Sequence, residues 1–182
     1  IPLNLDYKDD LAEAVKDGQL WKLWYTSVPA LEDVQTYIET ALDQRQNKSS
    51  IPFAVVCKTT NTIIGSTRYC NIDEQNKRLE IGYTWYAQKH QRTGVNTECK
   101  YLLLKKAFED FNVVAVEFRT HRFNQRSRNA ILRLGAQQDG ILRSHKRDKA
   151  GNLRDTVVFS IIQNEWPVVK YGLEQKLINH PK

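Results

Sequence analysis

No stretch of this chain is apolar for long enough to cross a bilayer as a helix, and no secretory-signal pattern stands at its start. A membrane role is therefore not expected. Methionine is absent altogether, and Ile1 reads as a trimmed or processed start from which nothing further follows. Cysteine is scarce and odd in number: Cys57, Cys70 and Cys99 lie on strand- or helix-like stretches without close Cys or His partners. That excludes a disulfide frame and a zinc site, and suits buried free thiols in a reducing, cytoplasmic setting. With 8 glycines and 5 prolines in 182 residues, there is no linker, no low-complexity segment and no internal repeat. One domain spanning 1–182, with a core that needs no staples, is the expectation. Acidic residues are outnumbered, 21 against 27, and the net charge of +6 gathers in the second half, from Arg119 and Arg122 through Arg143 to Arg154. Such a run is either a solvated face or the mark of a phosphate-rich partner.

What is present reads as alternating helices and strands. Residues 1–5 suit an edge strand. Asp6 can cap a helix over Tyr7–Lys16 with Leu11, Ala14 and Val15 inward and Asp17-Gly18 as its stop. Trp21, Trp24 and Tyr25 crowd the next connection, as core packing under a loop or as the wall of a pocket. A helix from Glu32 to Gln44 faces inward through Val34, Tyr37, Ile38 and Ala41. Strands at Ile51–Lys58 and Ile63–Ile72 form a hairpin, and a third at Arg78–Ala87 continues the meander. In that third strand Leu79, Ile81, Tyr83 and Trp85 share one face, and Glu80, Gly82 and Thr84 the other.

The helix over Cys99–Phe111 carries Tyr101, Leu104, Phe108 and Phe111 on one stripe. After a stop at Asn112, Val113–His121 reads as a central strand. Asn124 caps a helix over Gln125–Leu134, with Ala130, Ile131 and Leu134 inward and Gly135 ending it. Strands at Gly140–Arg147 and Asp155–Ile162 flank a turn at Lys149–Asn152, and Asn164–His180 closes as a helix. The fold class is α+β: a mixed, mainly antiparallel sheet with one parallel crossover from Leu79 to His121, able to splay where its direction changes.

The stretch that carries chemistry is Gln91-Arg92-Thr93-Gly94-Val95-Asn96-Thr97, a Gly-bearing turn between a strand and a helix. First-turn N–H groups have no intrahelical partner and sit at the positive end of the dipole, so this turn can cradle an anion. It has neither the P-loop pattern nor three dinucleotide-binding glycines. A plain connection is the bland alternative. A second element, Asn124-x-x-Ser127 followed by Leu134-Gly135-Ala136, stands downstream.

Together these stretches resemble the GNAT N-acetyltransferases. Gln91-x-x-Gly94-x-Asn96 is similar to their acyl-CoA loop, and Glu80-Ile81-Gly82-Tyr83 to the strand of the RimJ/RimL branch, which acetylates ribosomal-protein N-termini. Two positions depart: Asn96 stands where a small Gly or Ala is usual, and Ile131 where many members carry an acidic Tyr. The resemblance implies a GNAT-like sheet with helices on both faces, a splayed acyl-CoA cleft, acetyl-CoA as co-substrate, no metal, and an amine acceptor. It implies pyrophosphate held by Gln91, Arg92, Thr93, Gly94, Val95, Asn96 and Thr97. Pantetheine would lie along Thr84, Trp85 and Tyr86 and at Asn124, and the 3′-phosphate near Arg126 and Arg128. Glu80 is the expected base and Ser127 the thiolate's donor, with His121, His145 and Asp155 as reserve bases. Trp24, Tyr25, Tyr83 and Tyr86 are expected to line the acceptor's place, whether for a protein N-terminus or a small amine. Nucleic acid is not expected as a partner, and the protein is a monomer or homodimer. The other readings are a non-catalytic acyl-CoA-binding module and a ribosome- or RNA-binding protein using the basic second half.

Overall fold

Two helices, two strands and half of a third build the first of two compact units, Ile1–Ile72 with Ile81–Gln91; Asp73–Glu80 with the chain from Arg92 onward forms the second. The computed structural model describes residues 1–148 and 150–179. Lys149 of the expected turn and His180 at the expected end of the last helix lie outside the described residues.

In the first unit, α1 (Lys8–Lys16) turns Leu11, Ala14 and Val15 inward, as their spacing requires. It starts later than the sequence suggests. A 3₁₀ turn over Leu5–Tyr7 precedes it, and Asp6 accepts from Asn4 Nδ2 at 3.0 Å instead of capping. The expected first strand shrinks to one bridge, Pro2 opposite Phe53. Helix α2 (Val34–Gln46) buries Val34, Ile38 and Ala41, with Tyr37 half-buried. Strands β1 (Ser50–Cys57) and β2 (Thr62–Asp73) pair antiparallel from Ser50↔Cys70 to Cys57↔Thr62. The core gathers Leu3, Leu11, Val15, Val34, Ile38, Ala54 and Trp85.

Strand β3 (Arg78–Tyr86) belongs to both units, and its alternation breaks at Tyr83. Tyr83 has φ +52 and is exposed, after which Trp85 and Tyr86 are both buried. A bulky residue in the left-handed region kinks the pleat, so the expected single face does not continue through Tyr83. Gly65 on β2 answers this: a Cβ there would collide with the Trp85 carbonyl and lie 2.9 Å from Tyr86 Cα.

In the second unit, α3 (Val95–Lys105) passes into a π turn at Lys106–Asp110. Lys100, Leu103, Leu104, Ala107 and Phe108 are buried. Of the expected stripe, Leu104 and Phe108 face inward, while Tyr101 is half-buried and Phe111 exposed. Strand β4 (Ala115–His121) pairs parallel with β3 over Arg78↔Ala115, Leu79↔Val116 and Glu80↔Glu117. On its other side β4 pairs antiparallel with β6 (Leu153–Ile162), and β6 with β5 (Gln137–Arg147). Helices α4 (Gln125–Leu134) and α5 (Trp166–Asn179) complete the unit. The sheet order is β1-β2-β3-β4-β6-β5, a mixed α+β sheet with β4 central, as its apolar start indicates.

The short parallel ladder places two carboxylates side by side on adjacent strands. Glu117 accepts from Arg78 Nη2 at 2.6 Å and from Arg119 Nη2 at 2.8 Å. Burial pushes its carboxyl up, but the hydrogen bonds and charges of Arg78 and Arg119 together hold it below the ordinary value of 4.5. A carboxyl lowered by folding stabilises the native state above its unfolded value, and that contribution is lost as the pH falls through the folded one. Thermal unfolding followed from pH 7 to pH 3 will therefore fall less steeply in Glu117→Gln than in the unsubstituted chain, the gap closing at the acid end.

Candidate active site

The anion cradle forms where α3 begins. Gly94 is its N-cap, with no side-chain cap bond, and Arg92 adopts φ +60. The first helical bond runs from Glu98 N–H to the Gly94 carbonyl at 2.9 Å, so the N–H groups ahead of it lie outside the helix ladder. Thr93 Oγ1 accepts from Val95 N–H at 3.3 Å. Gln91, expected in the cradle, donates its side-chain amide to the Tyr86 carbonyl at 3.0 Å. It braces the strand end from which the turn departs.

The second element forms as its sequence indicates. Asn124 Oδ1 accepts from Ser127 N–H at 3.1 Å and caps α4, and Gly135 closes it at φ +102. The Asn124 oxygen is thereby engaged, which leaves its amide nitrogen as the group that could meet a ligand carbonyl. Ser127 is half-buried in the first turn. Arg128 donates through Nη1 to the Arg122 carbonyl, at 3.3 Å. Its Nε is buried with no hydrogen-bond partner, a donor that a bound anion would satisfy.

Glu80 ends the parallel ladder, opposite Glu117, and is 8% exposed. Arg119 Nε stands 3.6 Å from Glu80 Oε2 while its fork is committed to Glu117. Glu80 thus pairs with Arg119. A carboxylate buried beside a cation is a candidate for proton transfer.

The three reserve bases are otherwise occupied. His121 Nδ1 accepts from Phe123 N–H at 3.1 Å, which puts the proton of the neutral ring on Nε2. Burial first, then the charge of Arg154, hold its pKa below 6.5, so this ring presents a donor rather than a base. His145 Nδ1 lies 3.1 Å from Thr156 Oγ1, and burial lowers its pKa too. Asp155 accepts from Ser144 N–H and pairs with Arg122 and Arg143. The same pairs neutralise part of the basic second half from within.

The aromatic residues expected to line the acceptor's place all lie in the first unit. Trp24, 55% exposed, meets Tyr25 edge to face at 5.6 Å, on a turn fixed by Thr26 Oγ1 to the Leu20 and Leu23 carbonyls. Thr84 Oγ1 lies 2.8 Å from Thr67 Oγ1, and the Trp85 indole is buried under α2 residue Tyr37. Tyr83 lies over Arg68, with the guanidinium carbon 4.1 Å from the ring centroid. Sequence reasoning did not single out Arg68 or Glu117 as site residues. Their signal is faint: each is a charged residue inside an apolar strand, which burial forces to find partners.

Comparison with known proteins supplies the family. A family model described as an acetyltransferase (GNAT) domain matches residues 1–137. The uncharacterized N-acetyltransferase p20 of Bacillus licheniformis is 27% identical over 169 residues, covering 90% of this chain and 92% of its own. The structure of a GCN5-related N-acetyltransferase from Brucella melitensis matches at TM-score 0.84 and 27% identity, over 96% of this chain and 79% of that one. Mycobacterium smegmatis RimJ, solved with CoA-disulfide, matches at TM-score 0.81 over 96% and 87% of the two chains; at 15% identity this is a likeness of fold. Among the described residues no group of His, Cys, Asp and Glu could hold a metal, and no helix is long and apolar enough to cross a membrane. Cradle, cap and ladder thus lie on a chain that belongs to the GNAT acetyltransferases, enzymes that take acetyl from acetyl-CoA.

Proposed function

We propose that this protein is a RimJ/RimL-like N-acetyltransferase, a single acyl-CoA N-acyltransferase domain over 1–182, acting on the primary amine of a protein N-terminus or a small molecule. The observation that carries the catalytic assignment is Glu80, buried at the end of the β3–β4 ladder with a cation 3.6 Å from its carboxylate. The branch is supported by Glu80-Ile81-Gly82-Tyr83.

The residues of the second unit fit the phosphates of acetyl-CoA. The start of α3, at Arg92–Thr97, and the unsatisfied Arg128 Nε offer donors to an anion, and the dipole of α3 favours negative charge at that end. Arg128, with Arg126, is the candidate for the 3′-phosphate. In the first unit, Thr84, Trp85 and Tyr86 offer main-chain groups to pantetheine.

The bound thioester supplies an electrophilic carbonyl carbon. Glu80 takes the proton that the ammonium form of the acceptor must lose, directly or through water. The amine nitrogen then bonds to that carbon, and a strand N–H near Trp85 stabilises the charge growing on its oxygen. As the carbon–sulfur bond breaks, the Ser127 hydroxyl donates a hydrogen bond to the departing thiolate. The second amine proton ends on that sulfur, giving an amide and free CoA. Ile131 offers no proton, so Ser127 acts through a hydrogen bond and solvent completes the transfer.

Glu80→Gln will lower kcat at saturating acetyl-CoA by roughly 100-fold or more, the usual scale for a positioned base, and leave CoA affinity unchanged by calorimetry. Ser127→Ala will cost less. Full turnover in both variants would overturn the two assignments. Arg128→Gln will weaken CoA binding by roughly tenfold or more, the scale of a hydrogen bond to a charged group, with a smaller effect on dephospho-CoA. An equal loss on both ligands would place Arg128 away from the 3′-phosphate.

A further inference from the structure

The Arg68 side chain lies in the first unit, and among the described residues no carboxylate meets it. It is 1% exposed, in the run Gly65–Cys70 of β2, where every residue is buried. A buried guanidinium keeps its charge, and burying it uncompensated is strongly unfavourable. Among the described residues its partners are neutral. Nη1 donates to Gln44 Oε1 at 3.0 Å, and the rings of Tyr37 and Tyr83 lie 4.8 Å and 4.1 Å from its central carbon. Nε is buried and has no hydrogen-bond partner.

The geometry also says what kind of anion fits. Two rings lie over the guanidinium and Gln44 takes its Nη1 end, which leaves Nε, on the edge it shares with Nη2, as the donor without a partner. Two parallel N–H groups match the two oxygens of a planar carboxylate. A tetrahedral phosphate would crowd the rings.

Tyr83 is the cover on the solvent side. It is 41% exposed, and its φ of +52 is a conformation that a bulky residue holds only under constraint. The same tyrosine is among the residues assigned to the acceptor.

We propose that Arg68 is the counter-ion for a carboxylate carried by the amine acceptor, and that the Tyr83 ring covers the guanidinium until that carboxylate arrives. The inference rests on the transferase reading for its acceptor and deepens it: the acceptor is an amine that also bears a carboxylate. The carboxylate is either the α-carboxylate of a free amino acid or an acidic side chain close to a peptide N-terminus.

Calorimetry with two matched pairs tests this with and without CoA: phenylalanine against phenylalaninamide, and the dipeptide amides Phe-Glu-NH2 against Phe-Gln-NH2. The acid member of one pair will bind roughly tenfold tighter or more, by the scale of hydrogen bonds to charged groups. The pair that responds identifies the source of the carboxylate. Arg68→Gln will abolish the preference. Tyr83→Gly, which keeps Arg68 and removes the cover, will bind the responding acid more tightly than the unsubstituted protein. Equal affinities in both pairs, or a preference that survives Arg68→Gln, would overturn the proposal. If Arg68→Gln does not fold, the absence of any gain in Tyr83→Gly would do so. Thiol release from acetyl-CoA on the same four amines separates the two readings. Amides acetylated as well as the acids would remove Arg68's role and leave the transferase; no CoA binding at millimolar concentration would remove the transferase reading.

Discussion

Two glutamates stand opposite each other on neighbouring parallel strands, and like charges so placed repel unless cations meet them. Arg78 and Arg119 resolve the conflict at Glu117, where both guanidiniums donate to its oxygens. Arg119 then reaches Glu80 only at 3.6 Å. The asymmetry divides the labour. Glu117 is a structural anion met by two guanidiniums, and Glu80 is buried beside the second of them. At close range inside a protein such an arrangement is worth more than the same charges in water. In the proposed mechanism the proton is taken at this group, at the last pair of the ladder.

The remaining parts of the site are backbone devices and depend less on particular side chains. The start of α3 offers N–H groups because no helix can satisfy its own first turn. Gly94 as N-cap and Arg92 at φ +60 let the chain enter the helix there. Asn96 is compatible with this, since the main chain supplies the donors and its side chain need only be accommodated. The Tyr83 kink depends in turn on Gly65, where the main chain of β3 comes too close for any side chain. One glycine on β2 therefore permits the local shape that brings Tyr83 over Arg68.

Local chemistry was legible in the sequence. Helix α4 runs over Gln125–Leu134 as read, because its cap at Asn124 and its stop at Gly135 are set within a few residues. The central place of β4 follows from its apolar start. The inner face of α3 was less legible. The run Tyr101–Leu104 fits more than one helical phase, and the π turn at Lys106–Asp110 ends the regular stripe before Phe111. The break in β3 had no sequence signature, since tyrosine is the last residue expected at positive φ in a strand. At the site, the types and order of Glu80, the cradle and Asn124–Ser127 were readable. What they touch was not: Gln91 turns back to Tyr86, and Arg119 divides between two carboxylates. Those choices depend on tertiary neighbours that no local pattern encodes.

The claim that Glu80 serves as a base tuned by Arg119 is tested most directly by the pH dependence of kcat in Arg119→Gln. Removing the cation beside a carboxylate makes its charged form harder to keep. The account predicts that the acid limb of the profile moves to higher pH while the alkaline side stays in place. An acid limb at the same pH in both proteins would contradict it.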